Sequence, residues 1–168
     1  IVQQRNGDNV NVYGFEIAGQ RQLDFLPGRF LKGFGVYLNY TYTHSEAKGI
    51  TNEDGEERSG LGLPGTAPHM FNASLSWENR KFSARVSLNH TADYLDELGS
   101  NSFEDRYYDK QTFLDVNASY RITDNFLIFA EANNLTNQPL RYYQGISSRT
   151  MQMEYYQPRF NLGVKLDF

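Results

Sequence analysis

The sequence predicts an all-β fold, a transmembrane antiparallel β-barrel meander of about seven strands that forms part of a larger barrel. Three observations predict it. Apolar and polar residues alternate with period two in seven segments, mostly of ten or more residues. The connections between those segments alternate short and long. Aromatic residues make up 15% of the chain, although mean hydropathy is only −0.63. A globular strand runs to about five or six residues, whereas a tilted strand crossing a bilayer needs about nine to eleven.

The first segment, Asn11 to Phe25, places Tyr13, Phe15, Ile17, Gly19 and Leu23 opposite Gly14, Glu16, Ala18, Gln20 and Gln22. Gly33 to Ser45 sets Phe34, Val36, Leu38, Tyr40 and Tyr42 against Gly35, Tyr37, Asn39, Thr41 and Thr43. From His69 to Glu78, Phe71, Ala73, Leu75 and Trp77 oppose Asn72, Ser74, Ser76 and Glu78. From Lys81 to Thr91, Phe82, Ala84, Val86 and Leu88 oppose Ser83, Arg85, Ser87 and Asn89. From Lys110 to Arg121, Leu114, Val116, Ala118 and Tyr120 oppose Asp115, Asn117 and Ser119. Asn125 to Asn134 is blurred, because Phe126, Leu127, Ile128 and Phe129 are all apolar. In Tyr155 to Phe168, Phe160, Leu162, Val164, Leu166 and Phe168 oppose Arg159, Asn161, Gly163, Lys165 and Asp167.

Three connections are short: Leu26 to Lys32, Asn79-Arg80, and Ile122 to Asp124. Three are long and polar: Glu46 to Pro68, Asp93 to Asp109, and Thr136 to Glu154. Outer-membrane barrels have this asymmetry, with short periplasmic turns and long extracellular loops. It predicts that the chain ends on the periplasmic side of a Gram-negative outer membrane. Phe25, Phe34, Trp77, Phe82, Phe126 and Phe168 then fall near the short-turn end, and Tyr13, Tyr40, Tyr42 and Tyr156 near the long-loop end. Two such aromatic girdles suit the two membrane–water interfaces.

Net charge is −4 with no basic cluster, which argues against a nucleic-acid partner. The absence of cysteine excludes a disulfide scaffold or a thiol site. His44, His69 and His90 lie far apart, with no neighbour at metal-ligand spacing, and no nucleophile motif accompanies His90 and Asp93. The expectation is neither an enzyme nor a cofactor or metal protein. The chain opens on Ile-Val-Gln-Gln, with neither initiator Met nor signal peptide, so the expectation is either a mature protein beginning at this residue or a fragment. Its odd strand count, against the even counts of single-chain bacterial barrels, predicts the C-terminal part of a longer chain.

Several stretches resemble the C-terminal region of TonB-dependent outer-membrane receptors. They are Phe129-Ala-Glu-Ala-Asn-Asn-Leu-Thr-Asn-Gln-Pro139, Arg141-Tyr-Tyr143, and Tyr155-Tyr-Gln-Pro-Arg-Phe-Asn-Leu-Gly-Val-Lys-Leu-Asp-Phe168. Gly14-Phe-Glu16, Leu26-Pro-Gly28, Tyr40-Thr-Tyr-Thr43 and Leu63-Pro-Gly-Thr-Ala-Pro68 are similar to the family too. The resemblance implies a barrel of the 22-stranded type with a plug in its lumen. It also implies import of a scarce nutrient such as an iron–siderophore complex, cobalamin or an oligosaccharide. Energy would come from the inner-membrane TonB complex. Residues 1–168 then form a C-terminal barrel segment without a plug domain. Two alternatives stay open: a small eight-stranded outer-membrane barrel with residues 1–10 supplying a strand, adhesive or structural in role, and a soluble β-rich binding domain.

Within that frame Arg141, Tyr142, Tyr143 and Arg149 are candidate ligand contacts, since aromatics and arginines are enriched at binding hot spots. Packing against neighbouring loops is the other reading of these four. If the segment is extended, Tyr142 and Tyr143 point in opposite directions, so at most one faces a ligand. Phe160, Leu162, Val164, Leu166 and Phe168 resemble the terminal signal read by the barrel-assembly machinery, and the same residues face lipid. Acidic residues crowd two loops: Glu46, Glu53, Asp54, Glu56 and Glu57, then Asp93, Asp96, Glu97, Glu104, Asp105 and Asp109. They lack calcium-loop spacing, and the expectation is a solvated or divalent-bridged surface near lipopolysaccharide. Gly55, Gly60, Gly62 and Gly65 predict a flexible first loop. Glu16, Arg85, Asp115, Glu131 and Lys165 are assigned to the lumen, because a charge on the lipid face is costly.

Overall fold

The computed structural model describes residues 9–51, 55 and 57–167. Its main sheet has seven strands, β1 (Val10–Gln22), β2 (Phe34–Ala47), β3 (His69–Glu78), β4 (Phe82–Thr91), β7 (Gln111–Thr123), β8 (Phe126–Asn133) and β11 (Arg159–Leu166), in the order β1-β2-β3-β4-β7-β8-β11. Every adjacent pair is antiparallel. All seven predicted segments are therefore strands of one meander. Four more strands, β5 (Tyr94–Glu97), β6 (Arg106–Tyr108), β9 (Leu140–Gln144) and β10 (Thr150–Glu154), form a second sheet in the order β10-β9-β6-β5. They lie within two of the three long connections, which are thus partly strand rather than loop. Strands of three to five residues are too short to show a period.

The register assigns each side chain to a face, because directly opposed residues on antiparallel strands share one. One apolar face runs through Ile17 and Tyr40, Leu38 and Ala73, Leu75 and Val86, and Leu88 and Leu114. It continues through Ala118 and Ala130 to Leu162. The other face pairs Glu16 with Thr41, Asn39 with Asn72, Ser76 with Arg85, Ser87 with Asp115, and Asn117 with Glu131. It also carries Lys165 beside Leu127. All five assigned charges thus lie on the polar side, where Asn39 donates to Glu16, and Asn72 donates to Asn39 at 3.3 Å. The blurred β8 segment resolves as well. Phe126 and Ile128 join the apolar face opposite Leu166 and Val164, while Phe129 turns to the polar side opposite Gly163. The ring of Phe129 occupies the space a Cβ at Gly163 would need, 2.3 Å from its Cζ. Glycine here lets an aromatic lie flat on the neighbouring strand.

Polarity is arranged inside out. Leu38, Leu75 and Val86, on strands with neighbours on both sides, are 53%, 46% and 41% exposed, whereas Asn39 and Asp105 are buried. A monomer in water does not present so wide an apolar face, whereas a sheet facing lipid must. Among the described residues no helix is long and apolar enough to cross a membrane. With all their neighbours antiparallel, β1 and β11 run in the same direction and form the two edges of an open sheet.

The short connections are built from turn chemistry. Asn79 Oδ1 accepts the amides of Lys81 and Phe82, both at 2.8 Å, closing the β3–β4 turn. Between β1 and β2, Gly28 takes φ 78° and opens a single helical turn, α1 (Gly28–Leu31). Trp77 Nε1 donates to the Phe30 carbonyl at 2.8 Å, and the rings of Phe34, Phe30, Trp77 and Phe82 follow one another in that order at 5.3 to 5.7 Å. Three members of the expected short-turn girdle, Phe34, Trp77 and Phe82, thus cluster with Phe30, while Phe25 lies under the Arg21 guanidinium instead. At the long-loop end Tyr13 meets His44, Phe15 meets Tyr40 and Tyr42, and Tyr40 hydrogen-bonds His69 at 2.8 Å.

Three expectations change. The last strand begins at Arg159 rather than Tyr155, because Gln157 adopts φ 61° and Pro158 follows it. That kink breaks the alternation, so Tyr156 leaves the lipid-side girdle and lines a cleft with Tyr108 and Arg159 on the polar side. The first loop is pinned where it is described, by bridges from Ala47 to Leu61 and from Thr51 to Glu57. Phe168, Glu53, Asp54 and Glu56 lie outside the described residues.

The face assignment makes a direct prediction. Leu88→Arg puts a cation against lipid and costs about 2–4 kcal/mol near the midplane, whereas Asn89→Arg extends into the lumen at little cost. In the full-length protein, heat-modifiable mobility should show impaired assembly for Leu88→Arg and near-normal assembly for Asn89→Arg. Equal effects contradict the assignment.

Candidate ligand cleft at the long-loop end

The stretch Asn134-Leu-Thr-Asn-Gln138 is a structural staple. Asn134 and Asn137 adopt φ 57° and 49°, the left-handed region that asparagine tolerates better than other residues with side chains. Asn134 Oδ1 accepts the Gln138 amide at 2.8 Å, and its own amide donates to Asp115 at 2.8 Å. Thr136 Oγ1 donates to the Thr112 carbonyl at 2.7 Å, and Gln138 Oε1 accepts the Thr112 amide at 3.0 Å. These bonds stop β8 and tie it to the start of β7. The polypeptide is thereby sent into β9 at a fixed angle.

The second sheet then forms across two connections, with β6 of one pairing β9 of the other. Its two faces differ. Leu95, Tyr107 and Tyr143 share the back face, where Leu95 and Tyr143 are buried. Tyr107 and Tyr143 stack at 5.1 Å and 7°. Tyr94, Tyr108 and Tyr142 share the front face, with centroids 5.5 and 4.9 Å apart. Arg106 lies over the Tyr142 ring at 5.3 Å.

The front face opens onto the polar side of the main sheet. Tyr108, Phe113, Asn133, Gln138, Tyr156 and Arg159 line a cleft of about 480 Å³. Leu140 and Tyr156 also border an adjoining recess that holds Arg106, Tyr142, Gln152 and Glu154. Tyr156 donates to Glu154 at 2.6 Å, as does Gln152. Together they hold the exposed Glu154 carboxyl below its usual range. The wall thus combines flat aromatic faces with amide, guanidinium and carboxylate groups, chemistry suited to binding an organic ligand by stacking and hydrogen bonds. His90 bonds Thr112 at 2.8 Å, and Asp93 serves Tyr143, so they do not form a catalytic pair. Among the described residues no three metal-ligating side chains converge.

Of the four predicted ligand residues only Tyr142 faces this region, and it lines the adjoining recess rather than the cleft itself. Tyr143 is buried and donates to Asp93. Arg141 pairs with Asp109 at 2.6 Å and donates to Thr150 and to the Ser147 carbonyl. Arg149 covers the Phe103 ring at 3.8 Å and donates to the Phe103 carbonyl at 2.7 Å. Loop packing accounts for these three. Tyr108 lies far in sequence from Tyr156 and Arg159, and the three line the cleft because the fold brings them together. Most acidic residues of the second loop are also spoken for, the exposed Glu104 apart. Arg106 takes Asp96 at 2.6 Å and Glu97 at 2.9 Å, and Asp105 pairs with Arg58. Arginine pairing thus replaces a purely solvated surface at Asp96, Asp105 and Asp109, while Glu97 and Glu104 stay exposed. Phe160, Leu162, Val164 and Leu166 all lie on the apolar face, opposite Ala132, Ala130, Ile128 and Phe126.

Burial raises the pKa of Tyr94, Tyr107, Tyr108 and Tyr143, and for Tyr143 the bond to Asp93 adds to it. A phenol whose folded value exceeds its unfolded one contributes stability that is complete below the unfolded pKa, about 10. That stability is lost as pH rises through the folded value. The loop sheet should therefore open in alkali above about pH 10, before the strands in lipid respond. Tyrosinate absorbance together with loop proteolysis measures this, and Tyr143→Phe should lessen the alkaline sensitivity. Loops equally resistant at neutral and strongly alkaline pH contradict it.

Comparison with known proteins agrees with this architecture. The family model described as "TonB dependent receptor-like, beta-barrel" matches residues 2–135. Two relatives from Vibrio cholerae serotype O1 strains, each named "Iron-regulated outer membrane virulence protein", are 36% identical over 134 residues. The match covers 79% of this chain and 19% of each relative, so the chain spans about a fifth of their length. No solved structure gives a significant match. An outward apolar face, antiparallel strands long enough to span a bilayer, and this family match lead to one conclusion: the chain belongs to the TonB-dependent receptor-like β-barrel family, whose members are outer-membrane receptors.

Proposed function

We propose that residues 1–168 are a C-terminal segment, without a plug domain, of a receptor that imports a scarce iron-containing nutrient across the Gram-negative outer membrane. The observation that carries this reading is the tyrosine-lined cleft on the lumen side, where Tyr108, Tyr142 and Tyr156 converge above the polar wall of the sheet. An iron chelate such as a siderophore complex fits the "iron-regulated" name of the relatives, and it fits a wall that offers both stacking and hydrogen bonds. Cobalamin and oligosaccharides suit the same wall less directly, since nothing in the relatives' name points to them. The role is import rather than catalysis.

The two sheet edges support a larger barrel of the 22-stranded type. Because β1 and β11 run the same way, they cannot close on each other in antiparallel pairing. The eight-stranded alternative needs a strand from residues 1–10, of which Val10 already belongs to β1 and residues 1–8 lie outside the described part. The exposed apolar face on interior strands disfavours a soluble domain. In this reading the long connections face outward among lipopolysaccharide, and the short turns and the C-terminus face the periplasm. The TonB complex engages a part of the receptor beyond this segment. The barrel-assembly machinery reads the final strand through Phe160, Leu162, Val164, Leu166 and Phe168.

The test is uptake by a full-length receptor carrying this segment, assayed with ferric hydroxamate and ferric catecholate complexes. Tyr142→Ala and Tyr156→Ala should each weaken apparent affinity about tenfold, the size of an aromatic hot spot, with barrel assembly unchanged. Arg141→Ala and Tyr143→Ala should weaken uptake only together with loosened loops. Uptake of no ferric complex, or uptake independent of TonB, contradicts the reading.

A further inference from the structure

Asp105 is 1% exposed and serves three long connections at once. Its carboxylate accepts both terminal nitrogens of Arg58, from the 46–68 connection, and the amide of Gly99 at 2.9 Å, from its own. Its backbone carbonyl accepts the amide of Gly145 at 2.8 Å, from the third. Arg58, itself nearly buried, also donates to the Gly99 carbonyl at 3.2 Å. Among the described residues this is the one ion pair that reaches the first connection.

That connection crosses the back of the loop sheet. Leu61 and Gly62 share a crevice with Leu95 and Tyr107, residues of the back face. The Gly65 amide donates to the Leu95 carbonyl at 2.8 Å. Below, the first connection is anchored to the end of β2 by Ala47 to the Leu61 carbonyl at 2.9 Å and by Leu63 to Ser45 Oγ at 2.9 Å. The strap therefore joins the barrel wall to the back of the sheet whose front is the tyrosine wall.

We propose that residues 57–66 act as a strap and that the Arg58–Asp105 pair is its latch, a positioning pair that makes the three long connections move as one body behind the tyrosine cleft. Arg58 touches no part of the cleft and acts through Asp105. The argument rests on the cost of an unpaired buried charge. Without Arg58 the Asp105 carboxylate keeps the Gly99 amide but loses its one charged partner among the described residues. A buried carboxylate so poorly compensated moves toward water. Its backbone moves with it, and the bond from its carbonyl to Gly145 is lost. Loosening then passes from the first connection to the third, although Arg58 has no described contact with Gly145. The coupling stands on these bonds alone. Its role in holding the cleft wall rests on the reading given under Proposed function.

Amide hydrogen exchange on the full-length receptor in detergent tests the coupling without any ligand, so latch and import reading fail separately. In Arg58→Gln and Asp105→Asn, exchange should rise about tenfold in the peptides containing Gly99 and Gly145 together, which corresponds to local opening made easier by about 1.4 kcal/mol, while β3 and β4 stay protected. Arg58→Lys keeps the charge but not the two-pronged geometry, and should give an intermediate rise in both peptides. It also decides the matter if Arg58→Gln fails to assemble. A rise confined to residues 46–68, or no rise in either peptide with Arg58→Lys, overturns the proposal.

Discussion

The structure depends on one constraint, which is that a strand in lipid must pair every backbone polar group while turning alternate side chains to hydrocarbon. The five inner strands of the meander meet both demands at once, and β1 and β11 meet them on their inner edges. Its register aligns Ile17, Leu38, Leu75, Val86, Leu114 and Ala130 on one face and Glu16, Asn39, Ser76, Arg85, Asp115 and Glu131 on the other. A slip of one residue in any pair would exchange the two sets. The apolar set is exposed where a water-soluble sheet would bury it, and the polar set is linked side to side, as from Asn72 through Asn39 to Glu16. Gly163 shows how strict the fit is, since it exists to seat the one ring, Phe129, that faces away from lipid on its strand.

Beyond the membrane the constraint changes, and so does the chemistry that holds the chain. The loop sheet has little apolar interior. It is held by arginine–carboxylate pairs and by tyrosines that pack ring against ring. Charged residues that looked like a solvated rim are instead matched one to another: Asp96 and Glu97 to Arg106, Asp105 to Arg58, Asp109 to Arg141. The back of the sheet is committed to packing, which leaves the front, with Tyr94, Tyr108 and Tyr142, to face the lumen. Division of labour between the two faces lets one short sheet pack on its back while its front keeps a row of tyrosine rings.

This difference also explains what the sequence discloses. Period-two alternation over ten residues is legible, so the main strands, their faces and their connections could be read directly. Even β8, where four apolar residues run together, needed only the register against β7 and β11 to be resolved. Strands of three to five residues have no readable period, and the loop sheet was invisible for that reason. Tyr156 was misplaced because one left-handed residue, Gln157, reverses the side to which it points. Arg141, Tyr143 and Arg149 have the composition of a binding site, yet their partners Asp109, Asp93 and Phe103 lie some thirty to fifty positions away in sequence, and only the fold shows that they are taken. The Asn134-Leu-Thr-Asn137 stretch carried a family resemblance, whereas its physical task, stopping β8 and stapling it to β7, rests on long-range bonds that spacing does not reveal.

The most direct measurement is a nitroxide scan along β7 in the full-length protein reconstituted in lipid, one label at a time from Thr112 to Tyr120. The account predicts a strict alternation. Labels at Leu114, Val116 and Ala118 should collide with oxygen dissolved in lipid, and labels at Asp115, Asn117 and Ser119 should collide with a water-soluble paramagnetic reagent. Accessibility that varies smoothly along the strand, or alternates in the opposite phase, would contradict the account.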